Sequence, residues 1–289
     1  MEETVATGSA LQRPAGLSAL GGGAAKLNAA EFRQFKTWIY EAAGISLADH
    51  KHALVMGRLS PRLRHYQLPT HGEYFRLLVS GKFPAEPQIA IDLLTTNETH
   101  FFREPKHFDF LRERILPAHP PGRLLRVWSA ASSSGEEPYS IAMTIAAALG
   151  DQPWEVLASD LSSRVLERAR SGHYAMARAK SIPPALLRAY CLKGVGPQED
   201  TFLIEPKLRN RVQFMQINLN RKLPHVGEFD VIFLRNIMIY FDLPTKRQVV
   251  SRLLKHLRSG GHLFIGHSES LHHVCDEVKS VVVSVYRKP

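Results

Sequence analysis

The fifteen residues 126–140 (RVWSAASSSGEEPYS) restrict the fold more than any other stretch of the chain. Val127 and Trp128 favour a strand. Ser129 to Gly135 carry almost no side-chain bulk, so a ligand can approach their backbone closely. Glu136, Glu137 and Pro138 suit a first helical turn, where acids favour the dipole and proline loses no hydrogen bond. Ile141, Ile145 and Leu149 continue at helical spacing. A strand, a bare loop and a helix start make the corner where an open α/β sheet receives a ligand. A phosphate site wants amides and a basic residue. Two carboxylates here argue for a ligand with cationic or hydroxyl groups instead.

The rest of the chain agrees with such a sheet. Candidate strands fall at 125–129, 155–159, 212–217, 229–234, 262–266 and 281–286, mostly separated by helical segments. This alternation predicts a doubly wound, mostly parallel α/β sheet, with the last strand as an antiparallel edge. Residues 174–211 break the alternation with a short helix (184–190), a Gly-Val-Gly-Pro turn and a short strand (201–204). They form an inserted β-subdomain, and an insertion of that size usually serves binding. Upstream, Phe32, Phe35, Trp38 and Ile39 mark an amphipathic helix that Gly44 ends. A second helix begins near Ala48 or Asp49, and Pro61 predicts a kink in it or a fresh start capped by Ser60. The expected organisation is a disordered tail (1–26), a small all-helical domain (27–81), a linker with a helix (82–100) and the sheet domain (101–289).

Composition narrows the function classes. No run of 18 apolar residues exists to span a membrane. The first residues are acidic and lack a signal-peptide core. Cys191 and Cys275 lie far apart without CxxC spacing, which reads as two reduced thiols in a cytoplasmic protein. The 14 histidines are scattered and none falls in HExxH, so no metal is expected. The net charge of +10 calls for an acidic partner, be it nucleic acid, anionic membrane or acidic protein. Charge alone does not choose.

Several residues are placed to carry chemistry. Asp160 ends the second strand, where an acid accepts hydrogen bonds from ribose hydroxyls; it also suits a helix N-cap. There is no GxGxxG for a nicotinamide cofactor and no GxxxxGK[ST] for a nucleoside triphosphate. In TTNETHFFRE (95–104), Asn97, Thr99 and Arg103 can reach a ligand while Phe101 and Phe102 pack, or the segment is a capped helix start. Arg235 and Asn236 follow the apolar strand FDVIFL, at a ligand-binding edge or in a salt bridge at the sheet rim. Asn218 and Leu219 follow another strand in the same way. Four strand ends thus point to one edge and predict one pocket.

TTNETHFFRE, RVWSAASSSGEEPYS, ASDLSSRVLERARSGHY and FDVIFLRNIMIYFD, in that order, resemble the bacterial chemotaxis receptor methyltransferases. These transfer methyl from S-adenosylmethionine to receptor glutamates. The resemblance runs from about Leu27 to the C-terminus. It implies that Asn97, Thr99 and Arg103 contact the cofactor, with Arg103 near the methyl-transfer centre. It places Glu137 at the cofactor's amino-acid end, Asp160 at the ribose, and Asn218 and Leu219 beside the adenine. Arg235 and Asn236 line the pocket, with Tyr240 close to the transferred methyl. The helical domain resembles the family's substrate-recognition domain, with Arg58, Arg62 and Arg64 on its basic helix. LKGVGPQED resembles the form of the insertion that docks a short peptide from the receptor's C-terminus. The partners so implied are cytoplasmic receptor helices, met by a monomer without nucleic acid or membrane insertion. A nucleic-acid methyltransferase, or a non-enzymatic module of the same fold, is the alternative. The first lacks its usual Asn/Asp-Pro-Pro-aromatic motif, since LRNIMIYFD stands in that place.

Overall fold

The computed structural model describes residues 26–289, so the tail expected at 1–26 lies outside the described residues but for Lys26. The first helix, α1 (Ala29–Ala43), opens with a capping box. The Asn28 side chain accepts from the amides of Ala30 and Glu31, and Glu31 accepts from the amide of Asn28. It ends at Gly44, where φ is 74° and a Cβ would lie 2.9 Å from Thr245.

Helix α2 (His52–His65) runs through Pro61 without a fresh start. Ser60 caps nothing; its hydroxyl donates back to the Met56 carbonyl at 2.7 Å. The reason is burial. Val55, Leu59 and Leu63 share one buried face, at about 1.5–3 kcal/mol each. Together they outweigh the roughly 3 kcal/mol that an interior proline costs.

Helices α3 (His71–Val79) and α4 (Glu86–Leu94) complete the unit. The linker expected at 82–100 is corrected here. Ala90, Ile91 and Leu94 of α4 are buried in the same cluster as Phe35, Val55 and Tyr74. The helical unit therefore runs to the end of α4, not to Gly81.

The second unit starts with α5 (Lys106–Phe110), which continues into a π-turn at Leu111–Ile115. Then follow β1 (Leu125–Ser129), α6 (Glu136–Leu149), β2 (Trp154–Asp160) and α7 (Ser163–Ser171). Next come β3 (His173–Ala175), α8 (Pro184–Tyr190), β4 (Cys191–Lys193), β5 (Thr201–Ile204), α9 (Pro206–Arg209) and β6 (Val212–Gln216). The chain closes with β7 (Phe229–Leu234), α10 (Leu243–Leu254), β8 (Leu257–Ile265), β9 (Lys279–Val282) and β10 (Val285–Arg287).

The main sheet has the order β6-β2-β1-β7-β8-β10-β9. Its first five strands are parallel, while β10 is antiparallel to both β8 and β9. Alternate residues serve opposite faces. Val127, Val156, Val231 and Phe264 enter one core, and Trp128, Leu157, Ile232 and Leu263 the other. Both faces are covered, as the doubly wound reading requires. The single edge strand expected at 281–286 is instead a hairpin, turning at Ser284 with φ 64°. The insertion forms its own antiparallel sheet, β3-β5-β4.

Candidate functional site

The chain reverses direction across the sheet at β1, with β2 on one side and β7 on the other. The carboxyl ends of these strands open into a cavity of about 500 Å³. That volume suits a small organic ligand. The helical unit roofs it through Ala43, Ser46, Lys51 and Arg58. Three of the contacts that hold the roof lie beside the cavity. Asn218 donates to the Ala42 carbonyl at 2.7 Å, Tyr40 to Asp242 at 2.9 Å, and the Ser46 amide to the Tyr240 carbonyl at 2.8 Å.

Asn97, Thr99, Arg103, Glu137, Asp160, Asn218, Leu219, Arg235, Asn236 and Tyr240 all line this cavity, and so does Arg58. Arg62 and Arg64 do not. The basic face expected of α2 is therefore divided. Arg58 donates to the carbonyls of Leu94 and Thr95 at 2.7 and 3.0 Å. Arg62 is no free cation: its Nε and Nη2 bind the buried Glu86 at 2.8 and 2.6 Å. The hydroxyls of Tyr66 and Tyr74 also donate to Glu86. Burial opposes ionisation of Glu86, but these donors hold its carboxyl below the usual range. Arg64 alone of the three is exposed.

Asp160 is not an N-cap. Ser162 caps α7, and the Asp160 carboxylate turns into the cavity, accepting from the amides of Ser133 and Ser162 at 2.8 and 2.9 Å. Burial raises its pKa against the pull of those amides. The segment 95–100 is likewise no helix start.

Arg235 is buried between two acids. Its Nη1 reaches Glu137 at 2.8 Å and its Nη2 reaches Glu104 at 2.9 Å, with a further bond to the Arg103 carbonyl. Ser129 donates to the other Glu137 oxygen at 2.7 Å. Burial pushes the Glu137 carboxyl up, whereas Arg235 overcomes burial at Glu104 and holds it at about 2. One guanidinium thus serves two carboxylates, and Asp160 adds a third. The backbone bends to build this: Phe102, Glu104 and Asn236 all have positive φ, at 51°, 59° and 56°. Strained non-glycine residues of this kind concentrate at ligand sites. Arg103 differs from Arg235. Its guanidinium bonds the Glu98 carbonyl at 3.0 Å, and no carboxylate among the described residues pairs with it.

The family described as CheR methyltransferase, SAM binding domain, matches residues 97–287. Its partner description, CheR methyltransferase, all-alpha domain, matches 30–95. The chain belongs to the CheR methyltransferase family. Among similar curated proteins is the chemotaxis protein methyltransferase of Salmonella typhimurium, 44% identical over 90% of both chains. That of Escherichia coli is 46% identical over 86% of this chain and 87% of its own. Chemotaxis protein methyltransferase 2 of Pseudomonas aeruginosa is 44% identical over 89% and 92%. The family's all-alpha boundary coincides with the end of α4 as packing defines it.

The cofactor of this CheR domain is S-adenosylmethionine, and the donor set fits it. The molecule carries a sulfonium, an ammonium, a carboxylate and two ribose hydroxyls. Against these the cavity sets Asp160 as a hydroxyl acceptor, Glu137 with excess negative charge behind it, and Arg103 as a free cation.

Three residues have roles here that the sequence reading missed. Glu104 orients Arg235 and Asn236 from behind the wall, at 2.9 and 3.2 Å. Glu136, read as a helix-start acid, is fully buried and pairs with Arg178 of the insertion. Gly135 was visible as a small residue, but its reason was not. Its φ is 98°, and a Cβ would lie 2.7 Å from the Tyr174 hydroxyl.

The fold also gathers Glu104, His107 and His267, with ligand atoms within 4.8 Å of one another, which no sequence spacing announced. Both Glu104 oxygens already accept hydrogen bonds, and Arg235 lies 2.9 Å away, so a second cation is opposed there. His107 is buried and neutral. Burial, then the Arg235 charge, push its pKa down to about 3. Unfolded, it takes a proton below about 6.5; folded, it resists until near its own lower value. Stability should therefore fall with acidification through that window, by up to about 1.4 kcal/mol per pH unit. His107→Leu should flatten the dependence by nearly one proton above the range where carboxylates titrate. Denaturant midpoints measured from neutral to mildly acidic pH check this; an unchanged slope would count against a neutral buried imidazole.

Proposed function

We propose that the chain transfers the methyl of S-adenosylmethionine to glutamate side chains of chemoreceptors, forming glutamyl methyl esters. The observation that carries this is the single cavity shared by the sheet edge and the helical unit. Family membership favours this reading over the nucleic-acid and non-enzymatic alternatives.

When bound, the cofactor supplies a sulfonium-activated methyl group. A glutamate side chain, with a pKa near 4.3, is already ionised at neutral pH, so no strong base is needed. The chain's task is orientation and exclusion of water. Asp160 would accept from the ribose hydroxyls. Glu137, held by Ser129 and Arg235, would meet the ammonium, and Asn218 and Leu219 would flank the adenine. Arg103 directs a carboxylate, the substrate's or the cofactor's own, with Tyr240 and Asn236 closing the wall. Arg58 and Lys51 line the roof, and the exposed Arg64 is a further cation on that unit, which suits an acidic receptor helix.

The insertion supports docking of a receptor's C-terminal peptide. Strand β4 is an open edge of the small sheet; Leu192 within it and Val195 just beyond it are 50% and 77% exposed. Among the described residues no helix is long and apolar enough to cross a membrane. The protein acts as a monomer in the cytoplasm.

The test is transfer of radiolabelled methyl from S-adenosylmethionine to a receptor's cytoplasmic fragment. Mild alkali should release the label as methanol, and replacing the target glutamates with alanine should abolish incorporation. Label that survives alkali would place the methyl on nitrogen or sulfur and sink the ester reading.

A further inference from the structure

We propose that Arg178, at the root of the inserted subdomain, is a positioning residue for cofactor binding. The inference rests on the S-adenosylmethionine reading of the cavity. Arg178 does not line that cavity; it lies in the 3-10 segment Met176–Ser181 that follows β3. Its Nη2 donates to the Thr99 carbonyl at 2.6 Å and also to the Glu136 carboxylate. One guanidinium thereby ties the 95–104 segment to the first turn of α6.

What it ties is the pocket wall. Thr99 lines the cavity, and Glu136 precedes Glu137, which lines it too. The other Glu136 oxygen accepts from Ser134 at 2.7 Å. The Ser134 carbonyl accepts from Tyr174, again of the insertion, at 2.7 Å. Ser133 donates to the Asn97 carbonyl at 2.9 Å. The segment bearing Asn97, Thr99 and Arg103 is not a helix or strand, so such ties fix its position. Of these, the bond from Arg178 to Thr99 comes from the subdomain directly, while Tyr174 of the subdomain holds the Ser134 carbonyl of the loop to which the segment is tied. A purely structural role, neutralising buried Glu136, predicts something different, and the two can be separated.

Glu136→Gln removes the buried charge but keeps the tie from Arg178 to Thr99. The double variant Glu136→Gln with Arg178→Met removes both without stranding an ion. Calorimetry with S-adenosylmethionine and steady-state methylation should give the single variant an affinity close to that of the unsubstituted chain. The double variant should bind about tenfold more weakly. Its KM for the cofactor should rise with kcat nearly unchanged, since the missing contact acts on binding. A folded double variant that binds as tightly as Glu136→Gln overturns the proposal. Should it not fold, Glu136→Gln with Arg178→Gln keeps a polar side chain there, but one that ends about where the arginine Nε lies, short of the Thr99 carbonyl. The same loss is expected of it, and unchanged affinity overturns the proposal equally. Absence of binding by the unsubstituted chain would instead remove the cofactor reading on which both rest.

Discussion

Arg235→Met should yield a chain less stable by about 3–5 kcal/mol and unable to hold its cofactor. The side chain is 1% exposed and bridges Glu137 and Glu104 at 2.8 and 2.9 Å. Methionine fills much of the volume but leaves two largely buried carboxylates, 14% and 11% exposed, without a cation between them. It also strips the Arg103 carbonyl of its donor. Removing one partner of a buried pair costs far more than the pair itself contributes, because the remaining charge stays desolvated. Adding Glu104→Gln to the variant should recover part of the stability and none of the cofactor binding. Denaturant unfolding and calorimetry of both variants test this. A single variant as stable as the parent would mean that the two acids do not depend on Arg235.

Arg103→Ala should behave in the opposite way. Turnover should fall by roughly 10²–10³, the usual cost of losing one preorganised donor at a reacting centre. The unfolding midpoint should barely move. Arg103 holds no carboxylate in place; it bonds one backbone carbonyl, that of Glu98. Its removal strands no buried charge. What disappears is a cation poised to orient a carboxylate beside the methyl. Methylation at the parent's rate by a folded variant would sink this assignment.

The contrast between the two arginines marks what sequence could and could not reveal. Arg235 follows an apolar strand and is expected at the sheet edge, while Arg103 lies in a polar segment expected only to reach a ligand; both line the cavity. Position along a strand is local, and the strand ends at Ser129, Asp160 and Leu234 follow from short apolar runs. Partners are not local. Arg235 meets Glu104 from 131 residues away, and Arg178 meets Glu136 from 42. No periodicity encodes such pairings. Arg62 looked like part of a free basic face for the same reason, because Glu86 lay in what read as a linker. The stretch KFPAEP has the chemistry of a linker, yet a tight turn between packed helices wants the same residues. Only the burial of Ala90, Ile91 and Leu94 tells the two apart. The hairpin at β9 and β10 hid because Ser284, not glycine or asparagine, takes the left-handed turn position.

The shared cavity has a consequence for how the molecule comes apart. The helical unit has its own hydrophobic cluster, the sheet has one on each face, and a short segment after α4 is the covalent link between the units. They meet directly where Asp92 of α4 accepts from Ser163 and Arg164 of α7, and between them lies a hollow of about 500 Å³. A ligand filling that hollow is, in mechanical terms, the missing piece of an interdomain core. With it in place, the units gain a further set of shared contacts, and whatever binds there adds to the stability of both by mass action.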